Sequence, residues 1–200
     1  SSWAGLEIGP HSLHVAGSFI HRRNNFVMDD AGAELDVDGD FTMCGADLRQ
    51  GTLRVGGDFT VTCAAAFDVE PGFSVVLDGT TVQTVDVPNS VVWRKGFEDL
   101  VIRNSAGVTF ASEILVSGTL TVESGSRITT SQQLSVANLR LDSNATLDGS
   151  GNINVAGELR LASGATLDAD AVDTSATLIL DPSATLSVAT FELRAPGPMP

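Results

Sequence analysis

Asp148 and Asp168 stand 20 residues apart in matching words, Asn144-Ala145-Thr146-Leu147-Asp148 and Gly164-Ala165-Thr166-Leu167-Asp168, and Arg140 and Arg160 repeat at the same spacing. Stacked carboxylates can share a proton or hold a cation, and cleavage of a glycosidic bond needs a pair of acids with separated pKa values. A turn explains them more simply: in both copies Asp follows Ala-Thr-Leu, where it favours a bend and faces water. Asp36-Val37-Asp38-Gly39-Asp40 has the alternating acids of a Ca²⁺ loop but lacks its sixth-position glycine and its distal Glu. Alternation instead turns these acids to the solvent side of a strand with Val37 inward. Ca²⁺ on them is the one cofactor the sequence leaves open.

His11, His14 and His21 cluster near Arg22 and Arg23, without carboxylates or thiols at converging spacing. A polar N-terminal cap is therefore favoured over a metal site. The only cysteines, Cys44 and Cys63, are 19 residues apart and read either as a disulfide between neighbouring layers or as two small core residues. Asn144-Ala145-Thr146 has the form of an N-glycosylation sequon. No Gly-x-Ser-x-Gly elbow, P-loop or His-Glu-x-x-His motif occurs, so nucleophilic, phosphate and metalloprotease chemistry lack support. No catalytic residue is assigned.

The elements that would position these residues are written as a repeat. Leu120, Leu139, Leu159 and Leu178 are spaced 19, 20 and 19 residues apart, and so are Val122, Leu141, Leu161 and Leu180, and again Ile128, Leu147, Leu167 and Leu186. Ile114, Leu134, Ile153, Val172 and Phe191 form a fourth column. A shared phrase, Leu/Ile-x-Val-x-Gly-x-Phe/Leu, begins at Leu13, Leu35, Leu53, Ile114 and Ile153 and reads as one grammar for most of the chain. Between Phe73 and Ile102 the register is ambiguous. Within a unit apolar residues alternate with Ser, Thr, Glu or Arg, the period of half-buried strands, and Gly, Ser, Asn or Asp separate them. A unit of about 19 residues holds three short strands and three bends, with no room for a crossover helix, and it cannot bury its apolar face alone. Stacking the units about 4.8 Å apart turns each column into a continuous core. The predicted fold is all-β: a parallel β-solenoid of about ten coils and about 50 Å, with right-handed winding favoured for parallel connections.

Composition agrees. The 200 residues include 42% hydrophobic and 18% charged residues, 20 glycines and no tyrosine, enough for one domain and too rich in strand and turn formers for a helical fold. A formal charge of −14 repels phosphate backbones and anionic headgroups, which disfavours nucleic acid, and no apolar run is long enough to span a bilayer. The opening Ser1-Ser2-Trp3, without Met or a signal-like segment, fits a mature or trimmed product.

Ile114-Leu115-Val116-Ser117-Gly118-Thr119-Leu120-Thr121-Val122, Ile153 to Leu161, Val76 to Val85 and Phe97 to Asn104 resemble the coils of right-handed parallel β-helix proteins of bacterial surfaces, such as autotransporter passengers and filamentous-haemagglutinin-type adhesins. The likeness covers roughly residues 35 to 193. It implies an extracellular or bacterial cell-surface location, and it is poor for function because such proteins include adhesins, scaffolds, toxins and enzymes. They are usually far longer, so the chain reads as a fragment or as a small subunit that gains length by assembling.

Three parts follow: residues 1–30, a cap or irregular first coil with Trp3 and Phe26 as plugs; residues 31–194, the solenoid; and residues 195–200, a proline-rich tail that denies further ladder hydrogen bonds but supplies no bulky plug. The leading expectation is a non-catalytic extracellular structural protein that self-associates, coil on coil, into a filament or surface layer. The alternatives are an adhesin or glycan-binding surface module, against which 6% aromatic residues weigh, and a polysaccharide-degrading β-helix enzyme.

Overall fold

A computed structural model describes residues 5–22, 26–63, 67–88, 96–175 and 177–194. These residues build 20 strands, all paired in parallel, into a β-solenoid of about nine turns without a helix. Consequently no described helix is long and apolar enough to cross a membrane.

Each full turn crosses three faces. Face 1 stacks residues 6–8, 26–28, 46–48 and 67–69, then 114–116, 134–136, 153–155, 172–174 and 191–193, with Phe97 bridged to Val116. Face 2 stacks residues 12–15, 34–37, 52–55, 74–77, 99–102, 119–122, 138–141, 158–161 and 177–180. Face 3 runs from residues 19–21 through 41–43, 59–61, 83–86, 108–110, 127–130, 146–149 and 166–169 to 185–188. Several strands run through a corner, with a register shift there, as at Val116/Thr119 and Gly149/Asn152.

Alternation sets what each face buries. Leu35 and Val37 are fully buried while Glu34 and Asp36, which alternate with them, are half-buried, and Leu120 stacks on Leu139, Leu139 on Leu159 and Leu159 on Leu178. Each side chain so enclosed contributes about 2 kcal/mol by leaving water. The predicted columns Ile114, Leu120, Val122, Ile128, Leu134, Leu139, Leu141, Leu147, Ile153, Leu159, Leu161 and Leu167 are all buried. Leu178 and Leu186 are only half-buried and Leu180 is exposed, because they lie on the last described coil, where no described strand covers them.

The five copies of the shared phrase do not occupy equivalent places. From Leu13, Leu35 and Leu53 the phrase runs from face 2 to face 3, whereas from Ile114 and Ile153 it runs from face 1 to face 2. What it encodes is a tight corner between two alternating strands, usable at either of two corners. The glycines explain the tightness: a Cβ on Gly39 would lie 2.8 Å from the Gly17 carbonyl carbon, and one on Gly118 would lie 2.8 Å from the Glu98 oxygen. At the later corners between faces 2 and 3 the chain turns left-handed at Gly125, Asn144, Gly164 and Ser183, with φ of 75°, 59°, 75° and 65°.

Core composition changes along the axis. Phe19, Phe41 and Phe59 stack with ring centroids 5.5 and 5.3 Å apart, and Phe59 also meets Phe67 and Phe97. The column continues as Val85 and Phe110, then shrinks to Thr130, Gly149 and Ala169. The seven fully buried phenylalanines all lie between Phe26 and Phe110, and later coils rely on Leu, Ile and Val.

The ladder already begins in the N-terminal segment: residues 6–8, 12–15 and 19–21 pair with the second coil as a first coil. Phe26 is buried beside Phe19 and His21, at centroid distances of 5.4 and 5.7 Å. Trp3, Arg23 and residues 195–200 lie outside the described residues.

Candidate functional site

The solenoid's two ends differ from its body. Strands Thr177–Leu180 and Thr185–Leu193 pair with the coil beneath them, and no described strand lies on their other side. Their inward side chains are correspondingly uncovered: Leu180 is 47% exposed, Phe191 39% and Leu193 66%, directly above the fully buried Leu161, Val172 and Thr174. At the opposite end, Leu6, Leu13, Val15 and Phe19 are half-buried in a first coil that is also paired on one side only. Among the described residues each end therefore carries an apolar strip on strands paired on one side only, the arrangement that strand addition uses.

The acids and arginines singled out in the sequence are stacked but separated. Asp148 and Asp168 are in register on face 3, where the Arg127 guanidinium donates to Asp148 at 3.0 Å. Arg140 and Arg160 are in register on face 2, along a groove of about 530 Å³ lined also by Ser124, Asp142, Ser143, Glu158 and Ala162. Arg140 donates to Asp142 at 2.7 Å and Arg160 to Asp181 at 3.3 Å. Neither Asp148 nor Asp168 lines that groove, whose carboxylates are Asp142 and Glu158.

Ion pairs of this kind tie coil to coil elsewhere. Arg103 forks onto Glu123 at 2.7 and 2.8 Å, and these hydrogen bonds hold the Glu123 carboxyl below its ordinary pKa; Arg54 reaches Asp78 on the next coil. An exposed pair such as Arg103–Glu123 contributes little, up to about 1 kcal/mol.

The structure brings the N-terminal histidine and two of the candidate Ca²⁺ acids together. His14 and Asp36 are in register on adjacent strands, and His14 Nε2 lies 3.0 Å from Asp38 Oδ1. That hydrogen bond, then the Asp38 charge, raises the His14 pKa. Asp40 is engaged elsewhere, its carboxylate accepting the Asp58 N–H at 2.9 Å, so the three acids do not close around one ion. His11 and His21 are outside this group; burial lowers the His21 pKa.

Cys44 and Cys63 are joined by a disulfide, Cα atoms 4.7 Å apart, between the second and third coils. The 19-residue spacing left two readings open, a disulfide between neighbouring layers or two separate core residues, and the structure has the disulfide.

A buried amide pair was not visible in the sequence. Gln83 donates from Nε2 to the carbonyls of Val55 and Gly57 at 2.9 and 2.5 Å, and its Oε1 accepts from Gly79 N and Asn104 Nδ2. Asn104 also donates to the Thr81 carbonyl at 2.7 Å and accepts from Ala106 N and Gly107 N at 2.8 and 3.0 Å. Both side chains satisfy backbone groups at the widened corner between faces 2 and 3, so their role is structural.

No family model matches this chain, and neither a curated protein nor a solved structure matches it significantly.

Proposed function

We propose that this chain is a non-catalytic structural protein of an extracellular or bacterial cell surface, a rod that lengthens by stacking the first coil of one copy on the last coil of another. The observation that carries this reading is the apolar strip of Leu180, Phe191 and Leu193, exposed where no described strand covers it, directly above the buried Leu161, Val172 and Thr174. A first coil with the same alternation, Leu13 and Val15 on face 2, matches Leu178 and Leu180 position for position. Head-to-tail contacts that do not close generate filaments. The Cys44–Cys63 disulfide supports an oxidising compartment. The net charge of −14 weighs against nucleic acid as a partner.

Electron microscopy and light scattering over a concentration series test this. Filaments with an axial repeat near about 43 Å, nine turns at about 4.8 Å each, are expected. Leu180→Lys, on an exposed side chain, should abolish them without changing the circular dichroism spectrum. Isolated rods at every concentration, or filaments indifferent to Leu180→Lys, refute the reading.

The groove along Arg140 and Arg160 favours a second reading, a surface module that binds an acidic glycan; retention on a uronate-containing polysaccharide, lost in Arg160→Ala, would favour it. The degrading enzyme is the weakest reading, since Asp148 and Asp168 stand on face 3 and the stacked arginines on face 2.

A further inference from the structure

We propose that His14, Asp36 and Asp38 form a surface site for a first-row divalent transition metal of the Zn²⁺ or Ni²⁺ class. The three side chains come from two adjacent coils: His14 from strand Ser12–Val15, Asp36 from Phe26–Val37, and Asp38 from the corner that follows it. One ligand atom from each lies within 4.8 Å of the others, and His14 Nε2 is already 3.0 Å from Asp38 Oδ1. In a tetrahedral site with bonds of about 2.1 Å, ligand atoms stand about 3.4 Å apart, so side-chain rotations alone close the remaining distance.

The backbone beneath is fixed. The Asp38 N–H donates to the Val15 carbonyl at 3.0 Å, and His14 pairs with Asp36 in the ladder. The next coil places glycine opposite Asp38: the Gly56 N–H donates to the Val37 carbonyl as Asp38 does to Val15, and a Cβ there would strike the Asp38 carbonyl. No side chain from that position therefore covers Asp38. Arg54, in register with Asp36 on the next strand, forms a long ion pair with it at 4.0 Å and a much closer one with Asp78 on the following coil. Glu34 is occupied by the Ser12 hydroxyl at 3.1 Å.

One imidazole with two carboxylates suits Zn²⁺ or Ni²⁺, which take nitrogen and oxygen together. Ca²⁺ prefers six to eight oxygens, which this group does not offer. The same reasoning replaces the Asp36-Asp38-Asp40 set with one in which His14 takes the place of Asp40.

Isothermal titration of the tag-free, disulfide-intact protein with ZnCl₂, NiCl₂ and CaCl₂ tests the site. Saturable binding of Zn²⁺ or Ni²⁺ at one ion per chain is expected, and His14→Ala should weaken it at least about 10-fold, as loss of a ligand does. Asp38→Asn should act likewise, and His11→Ala should change nothing. All three positions are at least partly solvent-exposed, so circular dichroism and the metal-free melting temperature should match the parent. Absence of saturable Zn²⁺ and Ni²⁺ binding, or binding that His14→Ala leaves intact, overturns the proposal. Ca²⁺ binding equal to that of Zn²⁺ and insensitive to His14 would identify an acidic surface patch and overturn it as well.

Discussion

Replacing Asn104 by Asp changes one NH₂ group into an oxygen and little else in shape. Asn104 is fully buried, and the exchanged atom is the one that donates to the Thr81 carbonyl and to Gln83 Oε1. Both acceptors would face a carboxyl oxygen, while the bonds accepted from Ala106 N and Gly107 N survive. Gln83 Oε1 keeps the Gly79 N–H, so the Thr81 carbonyl is the acceptor that loses its donor, at a cost of about 1–3 kcal/mol. For a chain of this length that lowers the melting temperature by about 2–12 °C. Desolvation raises the new carboxyl's pKa in the folded state, so the unfolded state ionises first and the deficit grows as pH rises above the ordinary Asp value. Thermal unfolding followed by circular dichroism at pH 4.5 and pH 7.5 reads both effects. Hydrogen exchange adds a control, because Ala106 and Gly107 amides should stay protected in Asn104→Asp and lose protection in Asn104→Ala. A melting temperature within about 1 °C of the parent at pH 7.5 refutes the claim that this relay holds the widened corner.

Leu159→Asp puts an unpaired carboxylate into the column between Leu139 and Leu178 and should cost at least about 3 kcal/mol in urea unfolding. Removing the disulfide by the paired change of Cys44 and Cys63 to Ala should cost about 3 kcal/mol, the closure entropy of a loop of this length, measured against the oxidised parent. His21 has its pKa lowered by burial, so its neutral form is favoured in the folded state. The stability it protects is complete above about pH 6.5 and declines as pH falls through that value towards the depressed folded pKa. His21→Leu should therefore shrink the loss of melting temperature between pH 7.5 and pH 5.

The C-terminal coils were legible because a nearly constant turn length makes stacked residues recur at 19 or 20, and the observed pairs Leu120/Leu139 and Leu139/Leu159 follow that count. The segment from Phe73 to Ile102 was not, because Val75 pairs with Leu100, 25 residues on, and Gln83 occupies an inward position that pattern reading reserves for apolar side chains. Its partner Asn104 has no sequence signature, since a buried amide and a turn amide look alike in one sequence. The repeated phrase misled in a different way: a glycine corner is a local instruction and carries no record of which face follows it. Among the candidate ligands, Asp36 and Asp38 were visible by alternation. His14 joined them only through pairing between coils whose spacing, 22 residues from Leu13 to Leu35, departs from the later period.

The uneven core also gives the rod a mechanical polarity. Phenylalanine rings and the disulfide brace the coils from Phe19 to Phe110, while the later coils rest on thinner columns whose last described layer is covered by no described strand. Under tension applied through its termini the chain should peel from the late coils first, releasing about 19 residues, or about 65 Å of contour, per coil. Extension should then stall at the aromatic section. The segment between Cys44 and Cys63 cannot pay out at all, so a stretched rod would keep one intact knot of chain from which its coils can rewind.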